Sequence, residues 1–128
     1  MILVDTSIWI EYLRNRPPYK QILGRHLEIG DIVTTGAIFG ELLQGARSQK
    51  EADGLVAYFN ALPQVETGND LWLEAGLMSH SVKALSRGIG LIDISLIATA
   101  RRAGARIWSK DKNILSLLKT EEKFHAKK

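Results

Sequence analysis

Ile2-Leu3-Val4 is a short apolar run that stops at Asp5, and the amphipathic stretch "TSIWIEYLR" after it changes to helical spacing. The pattern therefore predicts a buried strand followed by a helix. Pro17-Pro18 ends that helix and can open a second over "YKQILGRHLEI". Gly30-Asp31 predicts a turn, and the β-branched "IVTT" at 32–35 predicts a strand. A third helix is expected from about Gly36 to Arg47 and a fourth over "EADGLVAYFNAL", with "QVET" after Pro63 as another short strand. "NDLWLEAGLMSHSVKALSR" predicts one long helix, separated by Gly88 and Gly90 from the helix that opens "LIDISLIATAR". "ARIWS" at 105–109 predicts the last strand, and "KDKNILSLLK" a closing helix. The charged tail "TEEKFHAKK" is expected to fray from about residue 120, with Phe124 as its candidate anchor.

Short apolar strands alternating with helices predict an α/β sandwich: a central, mostly parallel β-sheet with helices on its faces. No internal repeat, low-complexity segment or interdomain linker interrupts the pattern, so residues 1–128 are expected to form a single domain. Hydrophobic residues make up 45% and charged residues 24%, ordinary values for a globular protein. No stretch approaches the about 20 apolar residues needed to span a bilayer. "MILVDTS" has no basic region of the kind that opens a signal peptide. With no cysteine, disulfides, thiolate metal sites and thiol catalysis are excluded. The expectation is a cytoplasmic protein without membrane association.

Asp93 is the odd residue of its helix. At 100° per residue it lies in line with Ile97 and Ala100, with Leu96 beside them, so its carboxylate points along the apolar stripe. An ionised group there costs several kcal/mol unless a helix N-terminus or a cation compensates it. In open parallel sheets, sites form beyond the carboxyl ends of the strands. Asp5 follows the first strand and Asp111 the last, while Glu41 lies about two turns into the helix after "IVTT", at the border of its apolar arc. Singly, each acid has an ordinary reading: Asp5 and Asp111 as helix caps, Asp93 as a first-turn acid, Glu41 as a solvated position. Jointly they predict four carboxylates on one edge, which repel and raise one another's pKa unless divalent cations neutralise them. Oxygen donors without thiolate or imidazole suit Mg²⁺ or Mn²⁺, ions that activate water and stabilise displacement at phosphorus. Thr6, Ser7 and Ser109 flank the acids and can hydrogen-bond a carboxylate, or serve as turn and cap hydroxyls.

Together "ILVDTSIWIEYLR", "GAIFGELLQGARS" and "GIGLIDISLIATARRAGARIWSKDKNI" resemble the PIN-domain ribonucleases, specifically the VapC-type toxins of toxin–antitoxin pairs, over nearly the whole chain. The resemblance matches Asp5 to the acid of the family's opening Asp-Thr-Ser motif and Glu41 to that of its Glu-Leu-x-x-Gly motif. It matches Asp93 to the acid opening the late helix and Asp111 to the acid after the final strand. It implies a PIN-like fold and an Mg²⁺-dependent endoribonuclease, with Mn²⁺ substituting, that hydrolyses RNA by a metal-activated water. Asp5 and Asp93 would be the primary metal ligands, and Glu41 and Asp111 would support them or hold a second ion. It also implies a VapB-like antitoxin and a homodimer, two-fold dimers being the commonest oligomers. One departure is Ile92, where the family often carries alanine or another small residue; it alters packing beside the metal without removing a ligand.

Net charge is +3, and with four acids committed to one site 17 basic residues face the other 10 acidic ones, an excess of +7. Arg47, Lys110 and Lys112 are candidate RNA contacts, whereas Arg101 and Arg102 suit the last turn of a helix. His26, His80 and His125 are scattered, and Trp9, Tyr12, Trp72 and Trp108 suit core or interface anchoring better than base stacking. "GIG" at 88–90 lacks the third glycine of a nucleotide loop and reads as punctuation. Ile22, Leu23, Leu55 and Phe59 either form a groove for an antitoxin helix or are buried in the monomer. Two alternatives stay open: a PIN-like module that binds RNA or protein without cutting, and a receiver-type phosphoacceptor domain. The second would want paired acids at the first strand, where Asp5 stands alone.

Overall fold

The computed structural model describes residues 1–126. Strand β1 (Ile2–Val4) is followed by helices α1 (Thr6–Leu13) and α2 (Tyr19–Ile29), strand β2 (Ile32–Val33), and helices α3 (Gly36–Gln44), α4 (Gln49–Ala61) and α5 (Asn69–Ser81). A 3₁₀ turn (Leu85–Arg87) leads to α6 (Leu91–Ala103), strand β3 (Arg106–Trp108), α7 (Lys112–Leu117) and a second 3₁₀ turn (Thr120–Glu122). The three strands form a parallel sheet of order β2-β1-β3. Leu3 lies opposite Val33 on one side and Ile107 on the other. Both neighbours of β1 are thus reached by helical crossovers that leave in opposite directions. The gap between β1 and β3 is the switch point where such sheets bind ligands.

β1 and β2 are continuous apolar runs, buried throughout, as expected of parallel strands covered on both faces. Val4, Ile8, Trp9 and Ile38 are fully buried, and Trp9 meets Tyr12, Phe39 and Tyr58 edge-on at ring-centroid distances of 5.8, 5.3 and 5.8 Å. Ile22 and Leu23 are buried in this core and Phe59 packs against Phe39, so Leu55 alone of the four reaches the groove beside Glu41, from its floor. Trp108 joins the same core, whereas Trp72 is only half-buried. No helix among the described residues is long and apolar enough to cross a membrane.

Three boundaries differ from the sequence expectation. "QVET" is not a strand: Gln64 makes a single parallel bridge to Thr34, beyond the end of β2. The long helix expected over 69–87 ends at Ser81, because Lys83 takes a left-handed conformation (φ 56°) and the Ala84 amide turns back to the Ser79 carbonyl at 2.9 Å. That turn usually announces itself with glycine, and here it does not. The tail does not fray at 120. The Phe124 amide donates to the Ile107 carbonyl at 2.8 Å, and its ring packs on Trp108 and His26, so the outer edge of β3 is covered.

Candidate functional site

β1 delivers Asp5 to the switch point, where its amide donates to the Trp108 carbonyl at 2.9 Å and its carbonyl receives the first amides of α1. Its side chain makes no capping hydrogen bond, so capping does not account for it. The carboxylate is buried (5% exposed), and its Oδ2 accepts from two hydroxyls, Ser7 Oγ at 2.9 Å and Ser109 Oγ at 2.8 Å. Each hydroxyl is itself aimed by a backbone amide: Lys110 N–H donates to Ser7 Oγ at 3.1 Å, and Asp111 N–H to Ser109 Oγ at 2.9 Å. With its lone pair engaged, each serine presents its proton to Asp5. The loop after β3 and the first turn of α1 therefore hold one carboxylate oxygen from both sides.

The other acids follow a related pattern. Asp111 Oδ1 caps α7, accepting from the Asn113 and Ile114 amides at 2.8 and 3.2 Å. Glu41 Oε1 accepts from Thr6 Oγ1 at 3.2 Å, which ties α3 to the start of α1. Among the described residues, Asp5, Glu41 and Asp111 each spend one carboxylate oxygen on the protein and leave the second without a protein donor. Asp93, in the first turn of α6, accepts no side-chain-directed hydrogen bond among the described residues and is half-buried below Ile97 and Ala100. Burial first, and then the charges of Asp111, Asp5 and Glu41, push its pKa up to about 6. The field of those three acids at Asp93 places all four carboxylates at one edge, and the α6 N-terminus does not offset them.

Basic residues do not discharge this edge. Among the described residues, no ion pair reaches Asp5, Glu41, Asp93 or Asp111. Arg101 pairs with Glu122 and Arg102 with Asp70 and Glu74, on the far side of α6. Lys112 and Arg47 are exposed, Arg47 at a groove of about 550 Å³ that opens beside Glu41 between α1, α3 and α4. The Lys110 ammonium lies 3.5 Å from Glu11, a residue the sequence reading passed over. Glu11 sits on α1 only one turn beyond Ser7, and an acid four residues after that hydroxyl was the signal available. His26 pairs with Asp31, and His80 and His125 are exposed; no histidine joins the site. Ile92 is 41% exposed, so its bulk reaches outward beside Asp93 and does not crowd the core.

The sequence matches the PIN domain over residues 2–119. The chain belongs to the PIN family. Among its relatives is Ribonuclease VapC11 of Mycobacterium tuberculosis, 32% identical over 116 residues and matched over 87% of each chain. Another is Ribonuclease VapC19 of the same organism, 30% identical over 101 residues, which cover 78% of this chain and 80% of the relative. The fold is similar to that of M. tuberculosis VapC20, a sarcin–ricin-loop-cleaving toxin, with a TM-score of 0.67 at 20% identity over 91% and 94% of the two chains. A toxin–antitoxin complex from Klebsiella pneumoniae contains a chain with a TM-score of 0.73 at 17% identity, over 92% of each. Membership of the PIN family sets aside a receiver-type domain.

The donors of this PIN domain suit a hard divalent cation. They are carboxylate oxygens alone, one carboxyl is raised to about 6 by burial and by its acidic neighbours, and three of the acids keep an oxygen without a protein donor among the described residues. Among the described residues, no three acids or histidines close on one point tightly enough to hold an ion unaided. A divalent ion held by one or two of these carboxylates would keep several waters in its coordination shell.

Proposed function

We propose that this chain is a divalent-metal-dependent endoribonuclease, the toxin of a toxin–antitoxin pair, with Mg²⁺ as its ion and Mn²⁺ able to substitute. The observation that carries this reading is the unpaired acidic edge, at which Asp93 is raised to about 6 by burial and three like charges. Hydrolytic cleavage of a phosphodiester is the reaction such an edge is built for once a cation neutralises it. The ribonuclease names of the curated relatives support RNA as the substrate. Asp5 and Asp93 are the proposed primary ligands, with Glu41 and Asp111 supporting them or holding a second ion. A bound ion supplies charge neutralisation and activation of water.

The chain's own residues set the stage for that chemistry. Ser7 and Ser109 fix the rotation of the Asp5 carboxylate, so its second oxygen is presented in one direction. Thr6 does the same for Glu41, and the amides of α7 for Asp111. Asp93, held by no such donor and raised by burial and like charge, would be favoured in its ionised form by a bound cation. Arg47, Lys110 and Lys112 are the proposed phosphate contacts, Lys110 sharing its charge with Glu11. Single-domain organisation over 1–128 and a cytoplasmic location complete the reading.

The proposed partner is a VapB-like antitoxin. Ile10, Leu13, Leu42, Leu55 and Tyr58 line the groove beside Glu41, with Arg14, Arg47 and Glu51 at its rim, and this suits an amphipathic segment better than the residues first suggested by sequence. A homodimer is proposed as well, supported by Leu73 and Leu77, each 71% exposed one turn apart on α5. Purified protein incubated with total RNA and Mg²⁺ should cut it, and chelation should stop the cutting. RNA left intact under Mg²⁺ and Mn²⁺ alike would favour the non-cutting module. Co-purification with a small protein encoded next to this gene, dissociating as cleavage appears, tests the toxin role.

A further inference from the structure

Lys110 is the cation that the chain inserts between Ser109, which donates to Asp5, and Asp111. Its amide is fastened to Ser7 Oγ at 3.1 Å, so its side chain starts within the site. An ammonium on a flexible four-carbon stem at that position is drawn to the four carboxylates, and seated among them it would do for the site what a metal ion does. It is instead held on the α1 side. Its Nζ lies 3.5 Å from Glu11 Oε1 and 5.4 Å from the centre of the Tyr19 ring.

Glu11 is suited to this task and ill explained by any other. It is an acid buried to 9% exposure on α1, and both Lys110 and Arg16 approach the same oxygen, Oε1. Arg16, at 3.2 Å, already pairs with Glu11, so the second cation is not needed to give this acid a partner. The Tyr19 ring faces the ammonium from α2, and a cation over an aromatic face is held without adding charge. We infer that Glu11, with Tyr19, is a positioning residue that parks the Lys110 ammonium away from Asp5, Asp93 and Asp111 and so keeps the acidic edge open to a divalent cation. This rests on the metal-site reading above.

Mn²⁺ affinity of the RNA-free protein, measured by calorimetry at pH 7.5, tests the inference. Glu11→Gln should weaken Mn²⁺ binding about tenfold, and adding Lys110→Ala to it should restore wild-type affinity, because the competing cation is gone. A purely structural Glu11 predicts a lower melting temperature with unchanged Mn²⁺ affinity. It also predicts no rescue by the second substitution, and either result overturns the inference. If Glu11→Gln does not fold, Glu11→Asp keeps the charge on α1 and shortens its reach; its weaker Mn²⁺ binding should again be rescued by Lys110→Ala. Failure of rescue there overturns the inference equally. Wild-type protein that takes up no Mn²⁺ defeats the metal-site reading, and this inference with it. Wild type that binds while Glu11→Gln binds equally well defeats this inference alone.

Discussion

The two ends of α6 handle acidic residues in opposite ways. At its C-terminal end Arg102 engages Glu74 and Asp70 at 2.6 and 3.0 Å, and Arg101 engages Glu122 at 2.7 Å. The arginines hold the Asp70 and Glu122 carboxyls below their usual range. At its N-terminal end Asp93 meets three further acids and, among the described residues, no base, and burial and then those like charges push it the other way, to about 6. One helix thus carries matched charge where it only has to be stable and unmatched charge where something else must complete it. Active sites accept such a local cost in return for affinity toward what relieves it.

The largest effect should come from removing the unmatched charge. Asp93→Asn is expected to reduce RNA cleavage by more than about a hundredfold, beyond what loss of a supporting partner usually costs. The same variant should melt higher than wild type when both are metal-free at pH 7.5. The folded-state pKa of Asp93 lies above the ordinary aspartate value of 3.8, so metal-free stability is greatest below that value and is lost as pH rises through about 6. A metal-free variant that melts lower would show that the carboxylate is a structural asset, not a strained ligand.

The second effect concerns what fills the site. Mn²⁺ at a hundredfold excess over its Kd should stabilise wild type by about 2.7 kcal/mol. An Asp5→Ala, Asp93→Ala double variant should gain much less. The gain should shrink from pH 7.5 to pH 5, because protons compete for Asp93 below about 6. Equal shifts in both proteins, or no pH dependence, would place the ion elsewhere. Next in size, Ser109→Ala removes one of the two hydroxyls on Asp5 Oδ2. It should weaken Mn²⁺ binding about tenfold or more and cost about 1 kcal/mol of stability, read by denaturant melts.

Much of this contrast was legible in the sequence, for a physical reason. The strands at 2–4 and 106–108 are apolar runs with polar stops, and α2 begins after Pro18 and ends at Gly30, which caps it in the left-handed region. The four acids could be placed on one edge because parallel topology fixes where strand ends go. What escaped were interactions between residues far apart in sequence. Asp111 proved to be a cap and a member of the acidic edge at once, two readings set against each other as alternatives. The partners of Arg101 and Arg102, the parking of Lys110 on Glu11, and the Phe124 bridge to β3 depend on which surfaces face each other. Lys83 hid a helix end because it adopts a glycine-like conformation without being glycine.

Smaller effects sharpen the contrast from its outer side. Lys112→Ala and Arg47→Ala should each weaken RNA binding across all sequences and flatten its dependence on salt, measured by titration at several ionic strengths. A change of sequence preference instead would mean base contact. Smallest of all, Arg102→Ala should leave cleavage unchanged and shift melting by a few degrees at most, because the ion pairs it breaks are exposed. Loss of cleavage in that variant would mean that the two ends of α6 are mechanically linked.

The clamp on Asp5 spans 104 positions of the chain, from residue 5 to Ser109. Closing a loop of that length costs a disordered chain about 4 kcal/mol in entropy beyond a constant term, recovered only when β1 and β3 dock together. A nascent chain that has not yet exposed residue 109, or one clipped by a protease between these points and come apart, holds Asp5 without its hydroxyls and without Asp111. The proposed site is therefore expected to be completed late in folding and lost early in degradation, because it joins residue 5 to residue 109.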